Sequence, residues 1–246
     1  MIRKKLISII LAGGKGTRLK YKTPKVLLKI KNNTLLQASI NLAEYFSEDI
    51  NIVINQSLLF LKKKMKECNF FLQKTSLGTG HAVREFFKNN KFNKKNLFMI
   101  LYADTPFIKK SDVNKMLNKT KYYDLVILAF KTNSNKGCGL IKTNKNSVLE
   151  IVEYKNSNEE EKKIKTCNSG MMVFNNNVKN LIKLIKKNSI TKEFYLTDLV
   201  KISKEKKLKV GVVVSKNEIR SRGINDVKAF LKNKKYFEKK SLKNTI

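Results

Sequence analysis

The chain has 246 residues, 41% of them hydrophobic, and 53 Lys+Arg against 19 Asp+Glu give a formal net charge of +34. That length supports one large domain with a sizeable core, the apolar share excludes a disordered chain, and no stretch approaches the roughly eighteen apolar residues of a membrane span. Cys68, Cys138 and Cys167 are odd in number and far apart, and His81 is the single histidine, which excludes a disulfide framework and argues against zinc. The charge invites a nucleic-acid reading, but only Arg3, Arg18, Arg84, Arg220 and Arg222 are arginines. The lysines are spread along the whole chain among Asn and Ile. Arginine forks and clustered patches are the usual tools of nucleic-acid readers. A solvated lysine background, with no specific nucleic-acid partner and no membrane, is therefore the expectation.

The start, Met1–Leu11, has basic residues before an apolar run, as a signal peptide does. The run is short, Lys15 and Arg18 follow at once, and no small-residue cleavage site is present. A reducing, cytoplasmic location is expected. Leu6–Leu11, Ile50–Ile54, Leu97–Tyr102 and Leu125–Phe130 read as buried strands. Between them Leu35–Phe46, Leu58–Cys68, Thr79–Lys88 and Asp112–Tyr122 carry helical apolar spacing. This alternation predicts an α/β fold, a mostly parallel sheet with helices on both faces. Beyond 130 the pattern loosens. Gly137–Thr143, Val148–Glu153, Gly170–Asn175 and Leu208–Val214 read as strands, and Val178–Lys187, Tyr195–Lys204 and Asn225–Lys239 as helices. Lys155–Lys165 is charged without periodicity and reads as an exposed loop, and the tail after Phe237 as a frayed end. A single domain follows, with a half at about 1–130 and a second at about 131–230.

The chemistry starts at the first strand's end. Gly13, Gly14 and Gly16 allow tight turns that point backbone N–H groups inward, as phosphate-cradling loops do. The P-loop is excluded because Thr17-Arg18 stands where Lys-Ser/Thr is needed, and the dinucleotide fingerprint is excluded because position 19 is Leu. Arg18 and Lys25 add fixed positive charge, and Asp104 stands at a strand end before Thr105-Pro106.

Leu11-Ala12-Gly13-Gly14-Lys15-Gly16-Thr17-Arg18-Leu19 followed by Pro24-Lys25 resembles the signature of the nucleotide-sugar pyrophosphorylases, nucleotidyltransferases with a Rossmann-like fold. Gln73, Leu77–Val83, Leu101–Pro106, Gly137–Gly139, Ile151–Glu153, Asn168–Gly170, Phe194–Asp198 and Gly223–Asn225 are similar, in family order, to the N-acetylglucosamine-1-phosphate uridyltransferase branch. The resemblance implies magnesium-dependent transfer of UMP from UTP to an N-acetylhexosamine 1-phosphate. It implies nucleoside contacts from Leu11, Ala12, Gly13 and Gly14, phosphate contacts from Arg18 and Lys25, and base reading by Gln73, Gly78 and Thr79. Tyr102, Gly139, Glu153 and Asn168 would surround the sugar, and Asp104 and Asn225 would hold Mg²⁺. Asn225 also reads as a helix N-cap, and His81 as a capping or packing residue without a catalytic role. Assembly into a homo-oligomer is left open. Another base or sugar phosphate, or a non-catalytic sugar-nucleotide-binding protein, is the alternative.

Three departures accompany the likeness. Ala103 replaces the usual Gly and is expected to tighten the pocket beside the sugar. Gly13-Gly14 replaces the usual Ala-Gly. No hexapeptide repeat is present, so no acetyltransferase domain is expected.

Overall fold

The computed structural model describes residues 5–14, 16, 21, 23–88, 90–144 and 147–242. In chain order the strands are β1 (Leu6–Leu11), β2 (Lys29–Ile30), β3 (Asn33–Thr34), β4 (Asp49–Ile54), β5 (Asn69–Leu72), β6 (Leu97–Tyr102), β7 (Leu125–Lys131), β8 (Gly139–Asn144), β9 (Ser147–Glu153), β10 (Thr166–Phe174) and β11 (Val210–Ser215). The helices are α1 (Leu35–Glu44), α2 (Leu61–Lys64), α3 (Thr79–Lys88), α4 (Lys110–Lys119), α5 (Glu159–Lys162), α6 (Asn176–Lys179), α7 (Asp198–Glu205), α8 (Glu218–Ser221) and α9 (Val227–Leu242).

The main sheet runs in the order β11-β7-β10-β6-β1-β4-β5. β1 pairs in parallel with β4 and β6, β4 with β5, and β7 with β11, while β10 is antiparallel to both β6 and β7. Alternate residues of each central strand feed opposite cores. Ile10, Ile52, Met99, Leu101 and Val126 pack with α1 and α4 residues on one face. Ile9, Val53, Phe98, Ile100 and Ile127 pack with α3 and α7 residues on the other. Strands buried on both faces read as near-continuous apolar runs, which is why β1, β4, β6 and β7 are mostly apolar. Ser8 of β1 and Asn51 of β4 are buried polar exceptions, and Asn51 Nδ2 donates to Ser8 O at 3.1 Å. Chain order reverses at β1, which lies between β4 and β6. The crevice beyond the carboxyl ends of β1 and β6 is therefore a switch point, where open α/β sheets bind ligands.

Several expected elements differ. β5 was not anticipated, because Asn69–Leu72 is a half-exposed edge strand of four residues. The helix expected over Leu58–Cys68 is a 3₁₀ turn and the four residues of α2, since Met65 leaves helical geometry and the chain turns back to enter β5. The helix expected over Val178–Lys187 is α6 followed by a 3₁₀ turn. Arg84 of α3 donates to the carbonyls of Ile182, Lys183 and Ile185, so these groups do not need helical N–H partners. Lys155–Lys165 is exposed, yet it folds as α5 behind an Asn158–Glu161 capping box. β10 begins at Thr166, earlier than Gly170, and α9 continues past Phe237 to Leu242.

Candidate active site

The β1–β6 switch point opens into a cleft of two joined lobes. The first, about 440 Å³, is lined by Leu11, Ala12, Gly13, Gly14, Lys25, Gln73, Gly78, Thr79, Tyr102, Asp104 and Asn225, with Gly16, Ser76 and Glu193 among their neighbours. The second, about 370 Å³, is lined by Gly139, Glu153 and Asn168 and shares Gly78, Thr79, Tyr102, Asp104, Glu193 and Asn225 with the first.

Each wall has a local cause. Ala12 N–H donates to Val53 O and Ala103 N–H to Leu11 O, so the loop after β1 stays tied to both neighbouring strands. Gly16 has φ +62°, and a Cβ there would lie 2.9 Å from Lys25 Cβ, so only glycine lets the loop pass so close to Lys25. Pro24 precedes the 3₁₀ turn Lys25–Leu27 and fixes its entry. Opposite, Phe194 N–H donates to Leu77 O and Gly80 N–H to Phe194 O, which clamps the turn that carries Gly78 and Thr79.

At the junction of the lobes, Lys25 Nζ donates to Asp104 Oδ2 at 2.6 Å and to Asn225 Oδ1 at 3.0 Å. The two side chains of the ion pair are only 10% and 16% exposed. Three distant segments meet here because Ile30 and Leu35 behind Lys25, Phe107 behind Asp104, and Ile224, Phe230 and Phe237 around Asn225 share one apolar cluster. Asn225 is not the helix cap. Ala229 N–H bonds Asp226 Oδ1 at 2.8 Å, so Asp226 caps α9 and the Asn225 amide is left to the cleft.

In the second lobe Gly139 and Glu153 face each other across the β8–β9 hairpin. Thr197 Oγ1 donates to Glu153 Oε1 at 3.1 Å. Burial raises the Glu153 carboxyl above the ordinary glutamate range, against that hydrogen bond. Asn168 Oδ1 accepts from Gly170 N–H at 3.1 Å. Burial also pushes the Tyr102 phenol up, with Glu153 and Asp104 adding to the shift.

A profile of the MobA-like NTP transferase domain matches residues 8–164, more than half of the chain. The chain belongs to the MobA-like NTP transferase family. It is 35% identical over 246 residues to the bifunctional protein GlmU of Wolbachia pipientis wMel, covering 99% of this chain and 56% of that protein. To GlmU of Clostridioides difficile strain 630 it is 32% identical over 225 residues, covering 89% of the chain and 48% of the relative. The chain thus spans about half the length of these curated relatives. A UDP-glucose pyrophosphorylase complexed with UDP-glucose superposes with a TM-score of 0.75 at 18% identity, covering 97% and 100% of the two chains. The inositol-1-phosphate CTP transferase of T. maritima gives 0.68 at 16% identity, covering 86% and 85%. The fold is that of the nucleotide-diphospho-sugar transferases.

In this NTP transferase every expected site residue within the described set lines the cleft; Arg18 lies outside the described residues. Ala103 departs from expectation. Its methyl is fully buried in the core beneath the loop and lines neither lobe, so it does not tighten the sugar side. Gly13 does matter to the cleft, since a Cβ there would press on Gln73 Oε1 at 3.2 Å. Sequence reasoning gave no role to Glu193, which borders both lobes, or to Lys136, Thr197 and Arg222 around the second. Thr197 lies inside the Phe194–Asp198 block, and Lys136, Glu193 and Arg222 each stand directly before a block, so their place beside these motifs was the signal that could have found them. Among the described residues no group of three or more His, Cys, Asp or Glu could hold a metal, and no helix is long and apolar enough to cross a membrane.

Proposed function

We propose that this NTP transferase moves UMP from UTP to N-acetylglucosamine 1-phosphate, forming UDP-N-acetylglucosamine and pyrophosphate. The observation that carries the reading is the Lys25–Asp104–Asn225 junction, where the two lobes meet. A nucleotide along the β1 loop and Gln73, and a sugar phosphate beside Glu153 and Asn168, would bring their phosphates together at that point. The 35% identity to a GlmU supports the choice of sugar and base.

The donor set suits magnesium. The Asp104 carboxylate and the Asn225 amide oxygen both reach a single cation, the Lys25 ammonium. Two hard protein oxygens, with the other positions left to phosphates and water, match how Mg²⁺ is held. Bound there, it would neutralise charge on the phosphates. The protein's own part is positioning and electrostatics. An ionised sugar-phosphate oxygen attacks the α-phosphorus in line with the departing pyrophosphate, so no general base and no covalent enzyme intermediate are required. Lys25, with Arg18, neutralises the charge that builds up on the pentavalent centre and the leaving group.

Pyrophosphate release screened over four nucleoside triphosphates and several sugar 1-phosphates tests this reading. UTP with N-acetylglucosamine 1-phosphate should be the fastest pair. Asp104→Asn should lower its rate by about 10²–10³-fold, the scale of losing one preorganised electrostatic group, without unfolding. A faster different pair, or near wild-type turnover by Asp104→Asn at limiting Mg²⁺, refutes the assignment.

A further inference from the structure

His81 sits in the first turn of α3, and the proposed chemistry leaves it without a role. Its Nδ1 lies 3.0 Å from Gln73 Nε2. Gln73 is 3% exposed and reaches the nucleotide lobe from the end of β5. The orientation of its amide is set by a group that can only accept. Gly78 O lies 3.0 Å from Gln73 Nε2, so the NH₂ end must face it. The second N–H of that amide goes to His81 Nδ1, which must then be an unprotonated acceptor. The ring proton of the neutral imidazole therefore sits on Nε2. That nitrogen faces Glu85 Oε1 at 3.6 Å, which suits an N–H there.

Both donors of Gln73 are thus taken by the protein. Oε1 is left over. Among the described residues no donor meets it, and it lies against the backbone at Gly13, which lines the same lobe as Gln73. A base edge entering the lobe meets an acceptor from Gln73 and no donor. The ring imide N–H of uracil or thymine answers that acceptor. The corresponding ring nitrogen of cytosine is itself an acceptor and would set lone pair against lone pair. Sites built on such buried polar matches reject the wrong partner strongly, because a mismatched group stays unpaired.

We propose that His81 is a positioning residue for nucleobase selection. By accepting the second N–H of Gln73 it holds the amide carbonyl toward the base, so the site prefers a nucleotide with a ring imide N–H over one with a ring-nitrogen acceptor. This rests on the uridylyl-transfer reading and assigns its base discrimination to a pair of side chains. The clamp around the ring is independent of substrate: Arg84, one turn further along α3, lies over the Phe194 ring, whose centroid is 6.2 Å from that of His81.

The test compares UTP and CTP kinetics in the wild type, His81→Phe and His81→Asn, and reads the His81 tautomer of the wild type by ¹⁵N NMR. Asn is the conservative replacement, because its Oδ1 branches from Cγ as Nδ1 does and also accepts. His81→Phe should raise KM for UTP about tenfold, with kcat within about twofold, as expected when a buried hydrogen bond that supports only ground-state binding is lost. The UTP-over-CTP preference should fall by a similar factor, His81→Asn should stay near wild type, and the wild type should carry its ring proton on Nε2. Unchanged KM and base preference in a folded His81→Phe, loss of base preference in His81→Asn, or an Nδ1–H tautomer overturns the proposal. If His81→Phe does not fold, the tautomer and His81→Asn decide. A wild-type preference for CTP overturns the uridylyl reading along with this one. A wild-type preference for UTP that is indifferent to His81 overturns this one alone.

Discussion

Asp198 opens α7, where the helix dipole favours a negative charge. Burial, and then the neighbouring Glu153, outweigh that, and its carboxyl is pushed up to about 6 from an ordinary 3.8. The folded chain therefore holds this proton more tightly than the unfolded chain. By linkage, the contribution is fully present below pH 3.8, is lost as pH rises toward about 6, and stays lost above it. Asp198→Asn removes the titration. Its thermal midpoint relative to wild type should climb between pH 4 and 6 and then level off. A variant that is less stable than wild type at pH 7 would contradict this account. Asn225 teaches a related lesson. Its place at a helix start suited a cap as well as a ligand, and the Asp226 bond to Ala229 N–H shows that the neighbour takes the capping role.

At the scale of elements, what the sequence makes legible follows burial. β1, β4, β6 and β7 are largely apolar on both faces, and their short length and richness in Ile, Val, Leu and Phe identify them. The glycine loop, Asp104 and the Gly78 turn sit at the ends of such strands or beside them, so most of the first lobe was readable. β5, α2 and the segment after α6 were not, because their form depends on tertiary partners such as Arg84. The antiparallel insertion of β10 between β6 and β7 leaves no local trace in the pattern either. The Gly78 turn permits a direct test. Gly78 has φ +94°, and a Cβ there would stand 2.6 Å from Phe194 O. Gly78→Ala should cost about 1–3 kcal/mol of stability from backbone strain. It should also raise KM for the nucleotide, because the Gly78 carbonyl orients Gln73. Urea unfolding at matched slope measures the first effect, and a wild-type midpoint would show that the turn is not strained by a side chain.

Across the whole molecule the +34 charge is a lysine charge, accompanied by few arginines. Diffuse lysines bind any polyanion through counterion release. Binding to DNA or RNA should therefore collapse by orders of magnitude between about 50 and 200 mM salt, with little sequence preference. Turnover should fall far less, because Lys25 is screened weakly inside the cleft. Sequence-selective binding that survives 200 mM salt, a limit taken from the same counterion-release estimate, would make nucleic acid a partner. The central claim is that the two lobes bring a sugar phosphate into line with the α-phosphorus at the Lys25–Asp104–Asn225 junction. Its most direct test is ³¹P NMR of the product formed from UTP and N-acetylglucosamine 1-phosphate carrying ¹⁸O on its phosphate. Direct attack places ¹⁸O in the bridge of UDP-N-acetylglucosamine and leaves the pyrophosphate unlabelled. Label in the pyrophosphate, an unlabelled bridge, or no UDP-sugar at all would contradict the account.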